Sequence, residues 1–184
     1  MNAAAGLFAT RGFDGTTTAE ICRAAQMSAG NLFHYFSSKR EIFAAIVTDE
    51  DHETAERLAA AHADDDPWTG LVGFVHHLAA PAAVPHVPGL VVEAMLQAYR
   101  DPQLAELLER DAEDEQAGIA SLLTRAAGAG QIDATLDPQH TASWITTLVG
   151  ALYLRAALDD GFDPAVEMPT LRLILGRFLR PGSR

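Results

Sequence analysis

The chain has 184 residues, 48% of them hydrophobic and 21% charged, which excludes a disordered or fibrous polypeptide and suffices for one globular unit or two small ones. Thirteen basic side chains against 25 acidic ones give a formal net charge of −12, so nucleic acid and anionic membranes are repelled unless the few cations are concentrated in one place. A single cysteine, Cys22, excludes an internal disulfide framework and a cysteine-rich zinc site, as expected in a reducing cytoplasmic setting. No charged segment followed by an apolar run opens the chain. The longest apolar stretch, from Ile145 to Leu158, contains Arg155 and is shorter than the ~20 residues that span a bilayer, so no membrane partner is expected.

Alanine and leucine supply 55 of the 184 residues and no segment sustains the period-two alternation of a half-buried strand, so the fold class is all-α. In chain order, a first helix runs to Arg11 and stops at Gly12. Thr17-Thr18-Ala19-Glu20 is a capping box that opens a helix ending near Ala25, and a short helix follows from Ser28 to Tyr35. A second capping box, Ser38-Lys39-Arg40-Glu41, opens a long helix expected to continue to Ala63. Four Asp-Pro pairs, at 66–67, 101–102, 137–138 and 163–164, each place an N-cap carboxylate before a proline suited to the first helical position. They start helices over 67–80, 102–128, 138–159 and 164–180, and one more is expected over 88–100, for about nine in all.

Charge divides along the same line. Residues 1–40 carry Arg11, Arg23, Lys39 and Arg40 against Asp14 and Glu20, a balance of +2, while the remainder carries −14. Only the first segment tolerates a polyanion.

Residues 17–35 read as helix, tight turn at Gln26-Met27, helix. A short second helix suits a DNA major groove, which admits one helix read by side chains near its N-terminus. Ile21, Cys22 and Ala25 with Leu32, Phe33 and Phe36 are expected to form the apolar seam, and Leu7, Phe8 and Phe13 to close a three-helix core. Cys22 is read as a small buried apolar group. Ala29 and Gly30 let the helix start approach bases, while Ser28 and Asn31 can donate or accept at base edges. Thr17, Thr18, Phe33, His34, Tyr35 and Lys39 complete the DNA-binding set, with Thr17, Tyr35 and Lys39 on phosphates.

The run Leu7-Phe8-Ala9-Thr10-Arg11-Gly12-Phe13-Asp14-Gly15-Thr16-Thr17, then Ile21, then Ala24-Ala25-Gln26-Met27-Ser28-Ala29-Gly30-Asn31-Leu32-Phe33-His34-Tyr35-Phe36-Ser37-Ser38-Lys39 and Ile42, resembles the DNA-binding domain of the TetR family of transcriptional regulators. The stretch from Leu90 to Arg100 before Asp101-Pro102 resembles, less specifically, the BetI-like and AcrR-like effector domains. The resemblance implies a helix-turn-helix domain over 1–46 and a helical ligand-binding and dimerisation domain over 47–184. It further implies an Ω-shaped homodimer, joined through its last two helices, that binds a palindromic operator as a repressor and is released by a small-molecule effector. In two respects the chain departs from the family pattern. Family members carry one to two more turns of helix and a basic extension ahead of Leu7-Phe8, so a truncated first helix or an upstream start is expected. Phe33 stands where many relatives have a tyrosine whose hydroxyl reaches a phosphate, which shifts positioning onto Tyr35 and Lys39.

In the C-terminal part, Trp68, Phe74, Met95, Tyr99 and Trp144 are the candidates to line an effector cavity, and Glu93, Gln97, His77 and Thr147 to orient the molecule, with ordinary helix packing as the competing role of each. The acidic domain favours a neutral or cationic effector. Helix 138–159 is apolar around most of its circumference and must be covered on two sides. Trp144, Leu148 and Leu152, with Leu171, Leu175 and Phe178 of the last helix, are the expected dimer contacts, and Gly150 and Gly176 permit close approach.

His76 and His77 are adjacent and diverge on a helix, His86 sits in a proline-rich turn, and His52 with Glu56 is the one i, i+4 histidine–acid pair of the long helix. None has ligand spacing of any specificity, and no metal or cofactor is expected. There is no glycine-rich phosphate loop and no nucleophile elbow, so no enzyme is expected. The alternative left open is a sensor of the same fold with weakened DNA binding that acts through protein contacts, suggested by the short N-terminus, by Phe33 and by a head balance of only +2.

Overall fold

A computed structural model describes residues 1–48 and 52–180, with His52 described for its backbone alone. Among the described residues there is no strand, and ten α-helices follow one another. They are α1 (Asn2–Arg11), α2 (Thr18–Ala24), α3 (Ala29–Tyr35), α4 (Lys39–Val47), α5 (His52–Ala63), α6 (Pro67–Ala79), α7 (Val87–Arg100), α8 (Pro102–Gly128), α9 (Pro138–Leu158) and α10 (Pro164–Leu179). A 3-10 turn, Ala80–Ala83, follows α6.

Most boundaries follow the sequence signals. Gly12 ends α1 with a φ of 71°, a left-handed conformation that glycine adopts without cost. Thr17 and Glu20 form the complete capping box of α2. Asp66, Asp137 and Asp163 accept from backbone N–H groups inside α6, α9 and α10, and Asp101 accepts from Gln103 and Leu104 at the start of α8. The second capping box is only half formed. Ser38 accepts from the Glu41 N–H as expected, but the Glu41 carboxylate turns outward to the Ser37 N–H and hydroxyl at 2.6 and 2.7 Å. The long helix expected over 38–63 is also not continuous: α4 closes at Thr48, whose φ of −116° and ψ of 22° are not helical, and α5 resumes at His52. The residues that join them lie outside the described set.

The chain divides into two compact units, the first built from Met1–Glu50 and Val84–Asp111, the second from Asp51–Ala83 and Ala112–Arg184. In the first, Phe8, Ile21, Cys22, Leu32, Ile42 and Phe43 form a buried core that Ala94 and Leu104 complete. The rings of Phe8 and Phe43 meet edge-on at 5.0 Å, and Phe13 stacks on Phe8 at 5.9 Å. Aromatic pairs of this geometry contribute ~0.5–1.5 kcal/mol beyond their burial. Gly15 is required by close approach, since a Cβ there would sit 2.2 Å from the Arg11 carbonyl oxygen.

In the second unit α6 is the central element, burying Leu71, Val72, Phe74, Val75 and Leu78 among its contacts. Ile119, Leu122 and Leu123 of α8, Ile145 and Val149 of α9, and Leu175 and Leu179 of α10 pack in the same core. The Arg125 guanidinium donates to the Ala61 and Asp64 carbonyls at 3.2 and 3.1 Å, satisfying acceptors left open at the end of α5. The Tyr153 hydroxyl donates to the Leu78 carbonyl at 2.8 Å, and burial pushes its pKa up to about 12.

Candidate nucleic-acid interface

The first unit presents α2, the tight turn and α3 as a helix-turn-helix. Gln26 takes a positive φ of 55° in the turn, which a non-glycine residue adopts only under constraint. The Met27 N–H donates to the Cys22 carbonyl at 3.0 Å, folding the chain back for α3. Ile21 and Cys22 face inward from α2 and Leu32 faces inward from α3, as expected. Ser28, Ala29, Gly30, Asn31, His34 and Tyr35 are exposed, with Tyr35 showing 66% of its surface. Ser28 caps α3 by accepting from the Asn31 N–H at 3.2 Å, which leaves its hydroxyl proton and the Asn31 amide free to face a ligand.

Phe33 departs from the expected seam. It is 48% exposed, because one residue beyond the inward Leu32 is about 100° further around the helix. Its ring is therefore turned to solvent, as is that of Tyr35, which meets His34 edge-on at 5.2 Å. Ala25 is likewise exposed and does not enter the seam.

The polar groups expected on phosphates are in part already engaged. The Thr17 hydroxyl donates to Glu20 at 2.8 Å and accepts the Glu20 N–H, while Thr18 is half-buried. The Thr17 backbone N–H, which donates to the Glu20 carboxylate at 2.9 Å, and then the Thr17 hydroxyl hold this carboxyl below its ordinary pKa. Lys39 donates to the Phe13 and Thr16 carbonyls at 2.7 and 2.9 Å and lies 4.2 Å over the Phe13 ring, which leaves one of its three N–H groups. Arg11 pairs with Glu20 at 2.6 Å and Arg40 with Asp101 at 2.5 Å. Arg23, by contrast, forms no ion pair among the described residues and is exposed on α2. Glu20 lies three residues before it, but its carboxylate serves Arg11 and Thr17.

The residues expected around an effector are distributed over both units. In the first, Glu93 accepts from the Phe13 N–H and from the Gln97 amide, both at 2.8 Å, so this pair holds the loop after α1 rather than projecting into a cavity. Met95 and Tyr99 are exposed, Tyr99 by 91%. In the second, Phe74 is core and stacks near His77, whose Nε2 lies 3.2 Å from the Thr54 hydroxyl. Trp68 packs against the core, Trp144 is bonded to His140, and the exposed Thr147 hydroxyl donates to the Ser143 carbonyl.

Among the expected dimer contacts, Leu152, Leu171 and Leu175 are buried in their own unit and Leu148 packs partly against it. Trp144 and Phe178 are exposed, and Leu154, Leu158 and Ile174 join them in an outward apolar set on α9 and α10 that the sequence did not separate from the inward set. Among the described residues, no group of three or more potential ligands could hold a metal ion, and no single helix is long and apolar enough to cross a membrane. The His52–Glu56 pair lies in part outside the described side chains.

An all-helical chain that opens with a capped helix-turn-helix and continues into a larger helical unit has the organisation of a DNA-binding transcriptional regulator. Residues 1–46 match the model of bacterial regulatory proteins of the tetR family, and residues 76–180 match that of the BetI-type transcriptional repressor C-terminal domain. The chain belongs to the TetR family, whose members are DNA-binding regulators and not enzymes. It is similar to the HTH-type transcriptional regulator UidR of Escherichia coli (strain K12), with 26% identity covering 97% of this chain and 90% of that one. It is also similar to the HTH-type transcriptional repressor AcnR of Corynebacterium jeikeium, with 24% identity over 85% of this chain and 78% of the relative. Among solved structures, Salmonella enterica GusR superposes with a TM-score of 0.72 at 26% identity, covering 97% of this chain and 92% of that one. Bacillus subtilis FadR, solved in complex with stearoyl-CoA, shares the fold with a TM-score of 0.79 at 16% identity, over 95% and 94% of the two chains.

Proposed function

We propose that this regulator is a homodimeric repressor that binds a palindromic operator through α3 and is released by a small-molecule effector. The observation that carries the reading is the outward surface at the start of α3, where Ser28, Ala29, Gly30 and Asn31 are all exposed while Leu32 alone of the helix is buried. Small side chains there admit close approach to base edges, and Asn31 supplies a donor and an acceptor for an adenine edge. Tyr35, Arg23, His34 and the remaining Lys39 N–H serve phosphates, with Thr17, Thr18 and Phe33 at the margin of the contact.

Residues 1–46 act as the DNA-binding domain and 47–184 as the effector and dimerisation domain. The exposed apolar side chains of α9 and α10, Trp144, Leu154, Ile174 and Phe178, support a two-fold interface between copies, which in turn makes the operator palindromic. Because its target is chromosomal, the protein acts in the cytoplasm. Proteins of the same fold are solved with stearoyl-CoA in one case and with choline in another, so the fold leaves the effector's chemistry open.

Selection of bound duplexes from a random pool at moderate salt tests this function. Recovery of a palindrome is the expected result, and an unenriched pool contradicts it. The second reading, a sensor that acts through protein contacts, is favoured by the engagement of Arg11, Arg40 and Lys39 within the first unit. It predicts that unenriched pool.

A further inference from the structure

Between α6 and α10, within the second unit, runs an open cleft of about 410 Å³. This volume lies within the roughly 300–1,000 Å³ typical of small-molecule sites. Val72, Val75, Met168, Leu171 and Leu175 are among its lining residues and make it mainly apolar, and none of the side chains expected at the sequence level to bind an effector takes part. Gly73 opens its wall, since a Cβ added there would meet nothing within 4 Å.

The polar lining is Thr69, His76 and the exposed Arg172, of which Arg172 alone carries a fixed charge. Arg172 and His76 are the titratable side chains on the cleft, no carboxylate lines it, and Arg172 forms no ion pair among the described residues. In a chain with a net charge of −12, an unpaired guanidinium beside an apolar trough is the feature that selects a ligand. A neutral hydrocarbon would leave the guanidinium idle, and an organic cation would be repelled by it.

A second copy of the chain is directed elsewhere. Arg172 and Ile174 are two residues apart, hence about 200° apart around α10, with the buried Leu171 and Leu175 between the two flanks. A partner seated on Ile174 meets the flank of α10 turned away from Arg172.

We infer that the α6–α10 cleft binds an amphipathic carboxylate, with its apolar body along Val72, Val75 and Leu175 and its carboxylate on Arg172. The binding stands on the cleft itself. Any effect of its occupancy on operator affinity rests on the regulator reading above.

Calorimetric titration of the full chain with decanoate, decanol and decyltrimethylammonium tests the inference. Decanoate is expected to bind saturably, at one per chain, with decanol weaker and the ammonium compound silent. Arg172→Gln is expected to weaken decanoate about tenfold, the value of one charge-assisted hydrogen bond. Gly73→Leu is expected to abolish binding by filling the trough, with helix content and Tm retained because the position is an exposed helical one. Equal binding of decanoate by the Gly73→Leu chain, equal binding of the cation, or no decanoate heat at all overturns the proposal. So does a change of sedimentation coefficient in the Gly73→Leu chain, which would assign the cleft to a second copy. Duplex binding on the same preparations separates the two readings: decanoate binding without any duplex binding removes the regulator role and leaves the cleft, and the reverse removes the cleft alone.

Discussion

The backbone N–H of Phe13 donates to the Glu93 carboxylate at 2.8 Å, so a side chain of α7 holds the loop that leads from α1 into the helix-turn-helix. Gln97, one turn further along α7, donates to the same oxygen and fixes the rotamer. The opposite side of that loop is held by Lys39, which donates to the Phe13 and Thr16 carbonyls. The position of α2 and α3 is thus tied to α7 by a charge-assisted bond.

Glu93→Ala leaves the Phe13 N–H without its acceptor. An unmet donor of this kind costs ~1–3 kcal/mol, so thermal unfolding of the variant is expected several degrees below that of the parent. Operator affinity is expected to fall with it. Gln97→Ala, which removes only the support, is expected to show a smaller shift in both. Equal Tm for the Glu93→Ala chain and the parent would remove the tether.

Acid sensitivity follows from the caps. Hydrogen bonds from the Thr17 backbone and hydroxyl hold Glu20 below its ordinary value of 4.5, and those from the Ser37 hydroxyl and backbone do the same for Glu41. A carboxyl whose folded pKa is depressed stabilises the fold above its unfolded pKa and ceases to do so as pH falls through the folded value. Helix content followed by circular dichroism is therefore expected to hold from neutrality to about pH 4.5 and to decline below it. Thr17→Ala, which removes the cap of α2 at a cost of ~1 kcal/mol, is expected to flatten the part of this decline that Glu20 supplies.

Gly15→Ala is expected to destabilise the first unit although it adds one methyl group. The added Cβ would meet the Arg11 carbonyl oxygen, a backbone atom that moves only if α1 moves. Gly30→Ala, on the exposed start of α3 with open space around it, is expected to leave Tm unchanged or raised and to change duplex preference instead. Chemical denaturation of the two variants side by side checks the contrast, and matched midpoints would contradict it.

The two-fold interface has its own test. Phe178→Asp together with Leu154→Asp places two charges where an apolar contact is expected, removing ~1.5–3 kcal/mol of burial per side chain in each copy. Sedimentation is expected to show a monomer for this variant and a dimer for the parent. A parent that sediments as a monomer at micromolar concentration would contradict the interface.

Much of the fold was legible because helix starts are encoded locally. Each of the four Asp-Pro pairs and the Thr17 box caps a helix, and each signal lies within four residues of the group it satisfies. The end of α4 at Thr48 was not legible, since neither glycine nor proline marks it. The bond from Phe13 to Glu93 was not legible for a related reason: the two residues are 80 apart in sequence, and a carboxylate on an apolar helix looks the same whether it serves a ligand or a backbone N–H. On α9 and α10, apolar residues all round the helix gave no phase, so the buried Leu152, Leu171 and Leu175 could not be told from the exposed Leu154, Ile174 and Phe178. The exposure of Phe33 has the same origin, because apolar character alone does not fix which way a residue of a seven-residue helix points.

Operator recognition by α3 is tested most directly by fluorescence anisotropy of the full chain on a selected duplex, titrated at several salt concentrations alongside Arg23→Ala, Tyr35→Phe and Asn31→Ala. The parent is expected to bind with an affinity that falls steeply as salt rises. Arg23→Ala is expected to weaken binding on every sequence and to reduce the salt slope by about 1, and Tyr35→Phe to weaken it on every sequence with little change of slope. Asn31→Ala is expected to lose ~1–3 kcal/mol of discrimination at one position of each half-site. Affinity that does not depend on sequence in the parent, or that is unchanged in all three variants, would contradict a DNA-reading role for this helix-turn-helix.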